Sequence, residues 1–128
     1  LAGPPGRRMR AYGLGDPALP RAIGEAALLV NTTSLGMQGG PAPDESPVPA
    51  AWLHPKLLVF DIVYRPPVTP LLAAAADVGC ATLGGLEMLV LQGAASLERW
   101  TGRRAPVGVM LRAARIALEA PVAARKDA

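Results

Sequence analysis

The 128-residue sequence is poor in the residues that build crosslinks, metal centres and stacking surfaces. Its only cysteine, Cys80, lies in an apolar setting, so the chain can form no internal disulfide and assemble no thiolate metal site. That usage fits a reducing, cytoplasmic home. The only histidine, His54, precedes a proline and has no acid or cysteine cluster beside it, which makes it a loop residue rather than a ligand or general base, and no metal is expected. Aromatic residues make up 4% of the chain, and the basic residues behind its net charge of +3 are scattered. Nucleic-acid recognition wants a basic stripe interleaved with stacking rings, so no nucleic-acid partner is expected. Arg7, Arg8 and Arg10 form the only tight N-terminal basic cluster, which reads as solvated surface. No apolar run approaches the roughly 18 residues that a membrane span needs, so no membrane partner is expected. Leu1 to Gly6 is too short and too rich in proline and glycine for a signal peptide. The chain starts on Leu1 rather than Met, and the expectation is a sequence that begins in mid-protein.

What is present is apolar. Half of the residues are hydrophobic, enough for one compact unit with a core. Residues 1–10 read as a frayed start, Met9 to Leu14 as a short edge strand, and Gly15-Asp16-Pro17 as a turn. Gly13, Gly15 and Ala18 match a relaxed dinucleotide fingerprint only superficially, because no apolar strand leads in and prolines at 17 and 20 interrupt it. A short helix is predicted from about Ala18 to Ala26, with Ile23 and Ala27 inward.

Three short apolar runs follow, Ala27 to Val30, Leu57 to Phe60 and Cys80 to Leu83, each too short for a helix. Such runs mark strands buried on both faces of a parallel sheet. The first two end in polar groups, Asn31-Thr32-Thr33-Ser34 and Asp61, where open α/β sheets place ligands. A simple turn-binding role for these groups stands beside that reading. Between the first two strands, Gly36 to Pro49 is a loop longer than usual, which suggests a lid or surface excursion, and Pro49 to Leu53 is a single helical turn. Thr69 caps a helix that opens on Pro70, and Gly79 stops it in the left-handed conformation. Pro106 opens a last helix with Val107, Met110, Leu111, Ala114 and Leu118 on one apolar stripe. The tail after Pro121 reads as loose. Alternation of strands and helices argues for a parallel sheet with helices on its faces.

The longest helix opens at Gly84-Gly85 and runs to about Trp100. At roughly 100° per residue, Leu86, Leu89, Val90, Gly93, Ala94, Leu97 and Trp100 share one broad face, read as core. Met88 and Gln92 sit together on another face in the first two turns. A thioether beside an uncharged amide suits a flat cofactor ring and a hydroxyl; the alternative is a gap-filling Met88 and a solvated Gln92.

Taken together, Asn31-Thr32-Thr33-Ser34-Leu35-Gly36-Met37, then Phe60-Asp61-Ile62-Val63-Tyr64 with Pro67-Val68-Thr69-Pro70-Leu71-Leu72, and then Gly85 to Ala94 resemble the shikimate dehydrogenase family. Glu98-Arg99-Trp100-Thr101-Gly102 also resembles the family's close of that helix. The resemblance covers about Leu28 to Leu118. It implies an α/β fold, a partial Rossmann-like parallel sheet with flanking helices that lacks its first βαβ unit. Residues 1–128 would be the carboxyl-terminal part of an NADP-binding domain, with the last helices, about 85–120, packing toward a missing substrate domain.

The resemblance further implies NADP as cofactor, with Asn31, Thr32, Thr33 and Ser34 lying along it and Ile62, Gly85 and Met88 around the nicotinamide. A side chain at Gly85 would obstruct the ring's approach. Tyr64 and Gln92 would hydrogen-bond the substrate, shikimate or 3-dehydroshikimate. The implied reaction is reversible hydride transfer between NADPH and 3-dehydroshikimate, with a relative acting on quinate, a truncated non-catalytic module and a basic nucleic-acid binder as alternatives. A homodimer of the full-length enzyme is a further expectation. The family's glycine-rich phosphate turn, its NADP-selecting segment and its catalytic Lys and Asp have no counterpart here, so no catalytic residue is expected in this segment. Gly84 stands where members often carry Asn or Asp, removing one potential cap.

Overall fold

The computed structural model describes residues 9–119. At its centre is a three-stranded parallel sheet in the order β1 (Leu28–Asn31), β2 (Leu58–Asp61) and β3 (Ala81–Leu83). The register aligns Leu28 with Leu58, Asn31 with Asp61, and Phe60 with Leu83. The expected α/β architecture is thus present, with every strand about one residue from its predicted bounds.

The two crossovers differ. Between β2 and β3 runs α1, Pro70–Val78, whose ends follow the sequence cues. The Thr69 hydroxyl accepts the Leu72 N–H at 3.3 Å, Pro70 occupies a first-turn position that needs no N–H, and Gly79 takes φ +87° at the stop. Leu71, Leu72 and Ala75, at spacings of one and four, are the residues this helix buries. Between β1 and β2 there is no α-helix. Residues 32–57 cross over as a loop with one 3-10 turn, Ala50–Trp52, and this loop supplies buried Val48 and Leu53 to the core. Main-chain bonds hold the loop's first half down, from Gly36 N to Ala42 O at 2.9 Å and from Gln38 N to Arg65 O at 2.8 Å.

Side chains alternate across a parallel sheet, so each row of aligned residues faces one way. Val59 is fully buried, and together with half-buried Leu29 it meets Ile23, Leu53, Leu57, Leu71, Leu72, Ala75 and Cys80 in one cluster. The opposite face is open: Leu28, Val30, Leu58 and Leu83 are all exposed, and only Phe60 is half-buried. The expectation of strands buried on both faces therefore fails. Short apolar runs identify strands but do not report how many layers cover them.

Three further expectations are corrected. Met9 to Leu14 is not a strand: Met9 is fully exposed, and the sheet holds no fourth strand among the described residues. The short helix that follows, Leu19–Gly24, ends earlier than predicted; Ile23 is buried as expected, but Ala27 is exposed. The long helix α2, Leu86–Thr101, buries only Val90 and Ala94. Leu97 is exposed and Trp100 is 81% exposed, so the broad face is not core along its length. Periodicity sets the direction of a face, not what lies opposite, and Leu97 to Thr101 in this helix's last turn are all exposed.

The final helix, α3 (Val107–Glu119), packs along α2, with Met110 facing Gly93. Its half-buried positions are Val107, Met110, Leu111, Ala114, Ala117 and Leu118, which contain the whole predicted stripe. An exposed ion pair, Glu87 to Arg115 at 3.2 Å, joins the two helices. The predicted frayed start and loose tail fall largely in residues 1–8 and 120–128, outside the described residues.

Candidate functional site

The polar carboxyl ends of β1 and β2 open into a cleft of about 630 Å³. Thr32, Thr33 and Ser34 leave β1 along one wall, and Ile62 and Tyr64 leave β2 along the next. Leu86 and Leu89 from the first turn of α2, and Ala114, Ala117 and Leu118 from α3, close the far side. Parallel strands release their chain at one common edge, so segments remote in sequence converge there.

Beneath the cleft floor lies a buried polar network. Asp61 is fully buried; its Oδ1 accepts from Asn31 Nδ2 and from the Val63 N–H, both at 3.0 Å, and its Oδ2 accepts from the Thr69 hydroxyl at 2.7 Å. Asn31 Oδ1 in turn accepts from the Thr33 N–H at 2.9 Å and the Thr33 hydroxyl at 2.7 Å. Every member has a partner, the condition under which buried polar groups can be tolerated. The network ties the ends of two strands to the cap of α1, which makes the cleft floor stiff.

The start of α2 sits on the same floor. Gly85 is buried, donates its N–H to Val63 O at 3.2 Å, and has φ −77°, an ordinary helical value. Glycine is required for space: a Cβ here would collide with the main chain of Ile62. Its helix start carries no side-chain cap because the cap position is Gly85 itself, so the identity of residue 84 does not decide it.

Of the residues expected to form the site, Thr32, Thr33, Ser34, Ile62 and Tyr64 line the cleft together, and Gly85 lies one residue from its wall at Leu86. Tyr64 is 41% exposed, so its phenol is open to solvent and not sealed in the interior. Asn31 lies below the cleft with its amide fully engaged. Met88 and Gln92 are exposed on α2 on either side of Leu89 in sequence, outside the lining, and Gln92 Nε2 donates to its own helix at Leu89 O, 3.1 Å away.

Sequence reasoning missed Met37, Gln38 and Arg65 at the rim and the contribution of α3. Arg65 Nη2 donates to Ala117 O at 3.2 Å and anchors the end of α3 beside the cleft. A carbonyl near a helix carboxyl terminus is a natural partner for a guanidinium. The apolar stripe of α3 had been found, but nothing in its spacing says that part of it borders a cleft.

Chemically, the cleft offers apolar walls, three small hydroxyl side chains, one phenol, the Gln38 amide and the Arg65 guanidinium, with neither Lys nor Asp on its lining. It is large enough for a ring and its attached sugar, and its flat aliphatic surfaces suit an aromatic ring. Among the described residues no cluster of His, Cys, Asp and Glu could hold a metal ion, and no helix is long and apolar enough to cross a membrane.

A family model described as the Shikimate 5'-dehydrogenase C-terminal domain matches residues 85–115. The chain is 47% identical over 109 residues to the shikimate dehydrogenase (NADP(+)) of Moorella thermoacetica, an alignment covering 85% of this chain and 36% of that protein. Among solved structures, the shikimate 5-dehydrogenase of Listeria monocytogenes in complex with shikimate and NAD is similar at a TM-score of 0.74 and 38% identity. That match covers 80% of this chain and 35% of the other. The quinate dehydrogenase of Corynebacterium glutamicum in complex with NAD is similar at a TM-score of 0.69 and 31% identity, covering 78% of this chain and 34% of the other. The chain therefore spans little more than a third of the length of the proteins it resembles.

Proposed function

The chain belongs to the shikimate dehydrogenase family, whose carboxyl-terminal part it matches, and on that premise we propose that it serves NADP-dependent reduction of 3-dehydroshikimate to shikimate. Its share of the work is to hold the nicotinamide end of NADP and to grip one edge of the substrate. The observation that carries this reading is the convergence of Thr32, Thr33, Ser34, Ile62 and Tyr64 on one cleft at the carboxyl edge of a parallel sheet.

NADPH, when bound, supplies the hydride. The chain's own residues bind and orient. Thr32, Thr33 and Ser34 line one side of the nicotinamide nucleotide, while Ile62, with Met88 at the outer edge, offers apolar surface to the ring. Gly85 holds α2 against the Ile62 main chain and so sets the cleft's depth. Tyr64 donates or accepts at a substrate oxygen, and Gln92 joins it by turning from Leu89 O. Because neither Lys nor Asp lines the cleft, the proton for the developing alkoxide comes from residues outside it. By itself the chain should then show negligible turnover and weak affinity for NADPH. A cytoplasmic location and a homodimeric full-length enzyme belong to the same proposal.

The test is an NMR titration of the chain with NADPH, followed by shikimate. Shift changes centred on Thr32 to Ser34, Ile62 and Tyr64 are expected. Changes confined to other surfaces would overturn the assignment, and steady NADPH oxidation by the isolated chain would overturn its dependence on residues elsewhere. Parallel titrations with quinate and NAD separate the quinate reading, which the likeness to the Corynebacterium glutamicum enzyme favours as the runner-up.

A further inference from the structure

The side chain of Asn31 has no hydrogen-bonding capacity left for a ligand. It is 3% exposed, its Nδ2 donates to Asp61 Oδ1 at 3.0 Å and to Leu35 O at 3.5 Å, and its Oδ1 accepts two bonds from Thr33. One of those two donors is the Thr33 main-chain N–H, which can only donate, so the amide's orientation is settled. The second consequence concerns the hydroxyl. Since Asn31 presents an acceptor, Thr33 must spend its one hydroxyl proton on that bond, 2.7 Å long.

Thr33 Oγ1 also accepts from the Leu35 N–H at 3.2 Å. A hydroxyl ordinarily offers one donor and two acceptor positions and turns to suit its neighbour. Here the donor and one acceptor position are taken. Thr33 is exposed on the cleft wall, and what remains for a ligand is a single lone pair.

The geometry points to Asn31 as a positioning residue that, with Asp61 behind it, turns the Thr33 hydroxyl into a fixed acceptor. At Thr33 the cleft then selects a ligand N–H or O–H, such as a carboxamide or ribose hydroxyl, over a phosphate or carboxylate oxygen. The inference rests on reading the cleft as the nicotinamide nucleotide site and gives that site a polarity. Asn31 touches no ligand in this account; it acts through Thr33.

Two measurements on the chain decide it. The first needs no ligand: the Thr33 hydroxyl proton should exchange slowly enough to be seen by NMR, with a cross-peak to the Leu35 amide, and Asn31→Ala should return it to rapid exchange. Rapid exchange in the unaltered chain overturns the proposal. The second is NADPH affinity. Thr33→Val should weaken binding about 2- to 10-fold, the range of one lost hydrogen bond, and Thr33→Ser should restore it. Asn31→Ala should weaken binding to a similar extent, and the double variant Asn31→Ala/Thr33→Val no more than either alone. Losses that multiply, or a Thr33→Val chain that binds as tightly as the original, overturn it. If Asn31→Ala does not fold, the Val and Ser replacements at the exposed Thr33 decide together with the exchange measurement. A chain that binds no NADPH at all overturns the nucleotide reading instead, while hydroxyl exchange still judges the polarity.

Discussion

The Cβ that Gly85 lacks would stand on the carbonyl group of Ile62, so the first turn of α2 is pressed against the main chain that follows β2. The obstacle is backbone on a buried floor, which no change of rotamer can move. Gly85→Ala should therefore destabilise the chain by about 2 to 3 kcal/mol, the upper range for overpacking. Gly93→Ala should do the opposite: its Cβ would meet only Met110 Cε at 3.8 Å, ordinary contact, and alanine in a helix interior is favoured by about 0.8 to 1 kcal/mol. Thermal denaturation of the two variants should show shifts of opposite sign; shifts of the same sign would remove the steric account of Gly85.

Thr69 serves two masters, receiving the Leu72 N–H at the start of α1 and donating to Asp61 Oδ2. Replacing it with the similarly shaped Val leaves a buried carboxylate oxygen and a helix N–H without partners. Urea unfolding of Thr69→Val should show a loss of about 2 to 4 kcal/mol, a cap plus an orphaned acceptor. Thr69→Ser should recover most of it, and a Val variant as stable as the original would mean that water replaces the hydroxyl.

Trp100 is placed on the core face by helical spacing and in solvent by the fold. The two placements differ in cost. Phe or Trp to Ala in a core costs about 3 to 5 kcal/mol, whereas an exposed replacement stays within about 0.5 kcal/mol. The structure puts Trp100→Ala in the second class for this chain, and a loss above about 2 kcal/mol would return it to the first.

Gln92 reaches Leu89 O in the present structure, and its proposed role requires that this bond be exchanged for one to substrate. In an active full-length enzyme, Gln92→Ala should raise the Michaelis constant for shikimate several-fold while leaving that for NADP nearly unchanged. A Michaelis constant for shikimate unchanged by Gln92→Ala would leave Gln92 as a solvated helix residue.

Arg21 and Glu25 form an exposed pair one turn apart, at 2.8 Å. The hydrogen bond from Arg21, reinforced by its charge, holds the Glu25 carboxyl below the usual range. A depressed carboxyl value in the folded state means that the pair's support is present above the unfolded value and is lost as pH falls through the folded one. In Arg21→Gln the Glu25 midpoint, followed by NMR, should move upward; no movement would show that the pair is broken in solution.

Local chemistry reads well from the chain because its causes are local. Thr69, Pro70 and Gly79 bound α1 through a hydroxyl, a missing N–H and a left-handed φ, each a property of the residue itself. The three strands and the stripe of α3 follow from spacing alone. Similarly, Thr32 to Ser34 and Ile62 to Tyr64 follow the ends of apolar runs, which is why their meeting at one cleft could be expected. What spacing cannot supply is the neighbour opposite. It is the tertiary arrangement that leaves Leu28, Val30, Leu58 and Leu83 uncovered, exposes Trp100, and brings Arg65 to the Ala117 carbonyl. Asn31 carries the distinction furthest: its position at a strand end is a matter of sequence, but only the approach of Asp61, thirty residues away, engages its amide nitrogen and leaves its oxygen turned to Thr33.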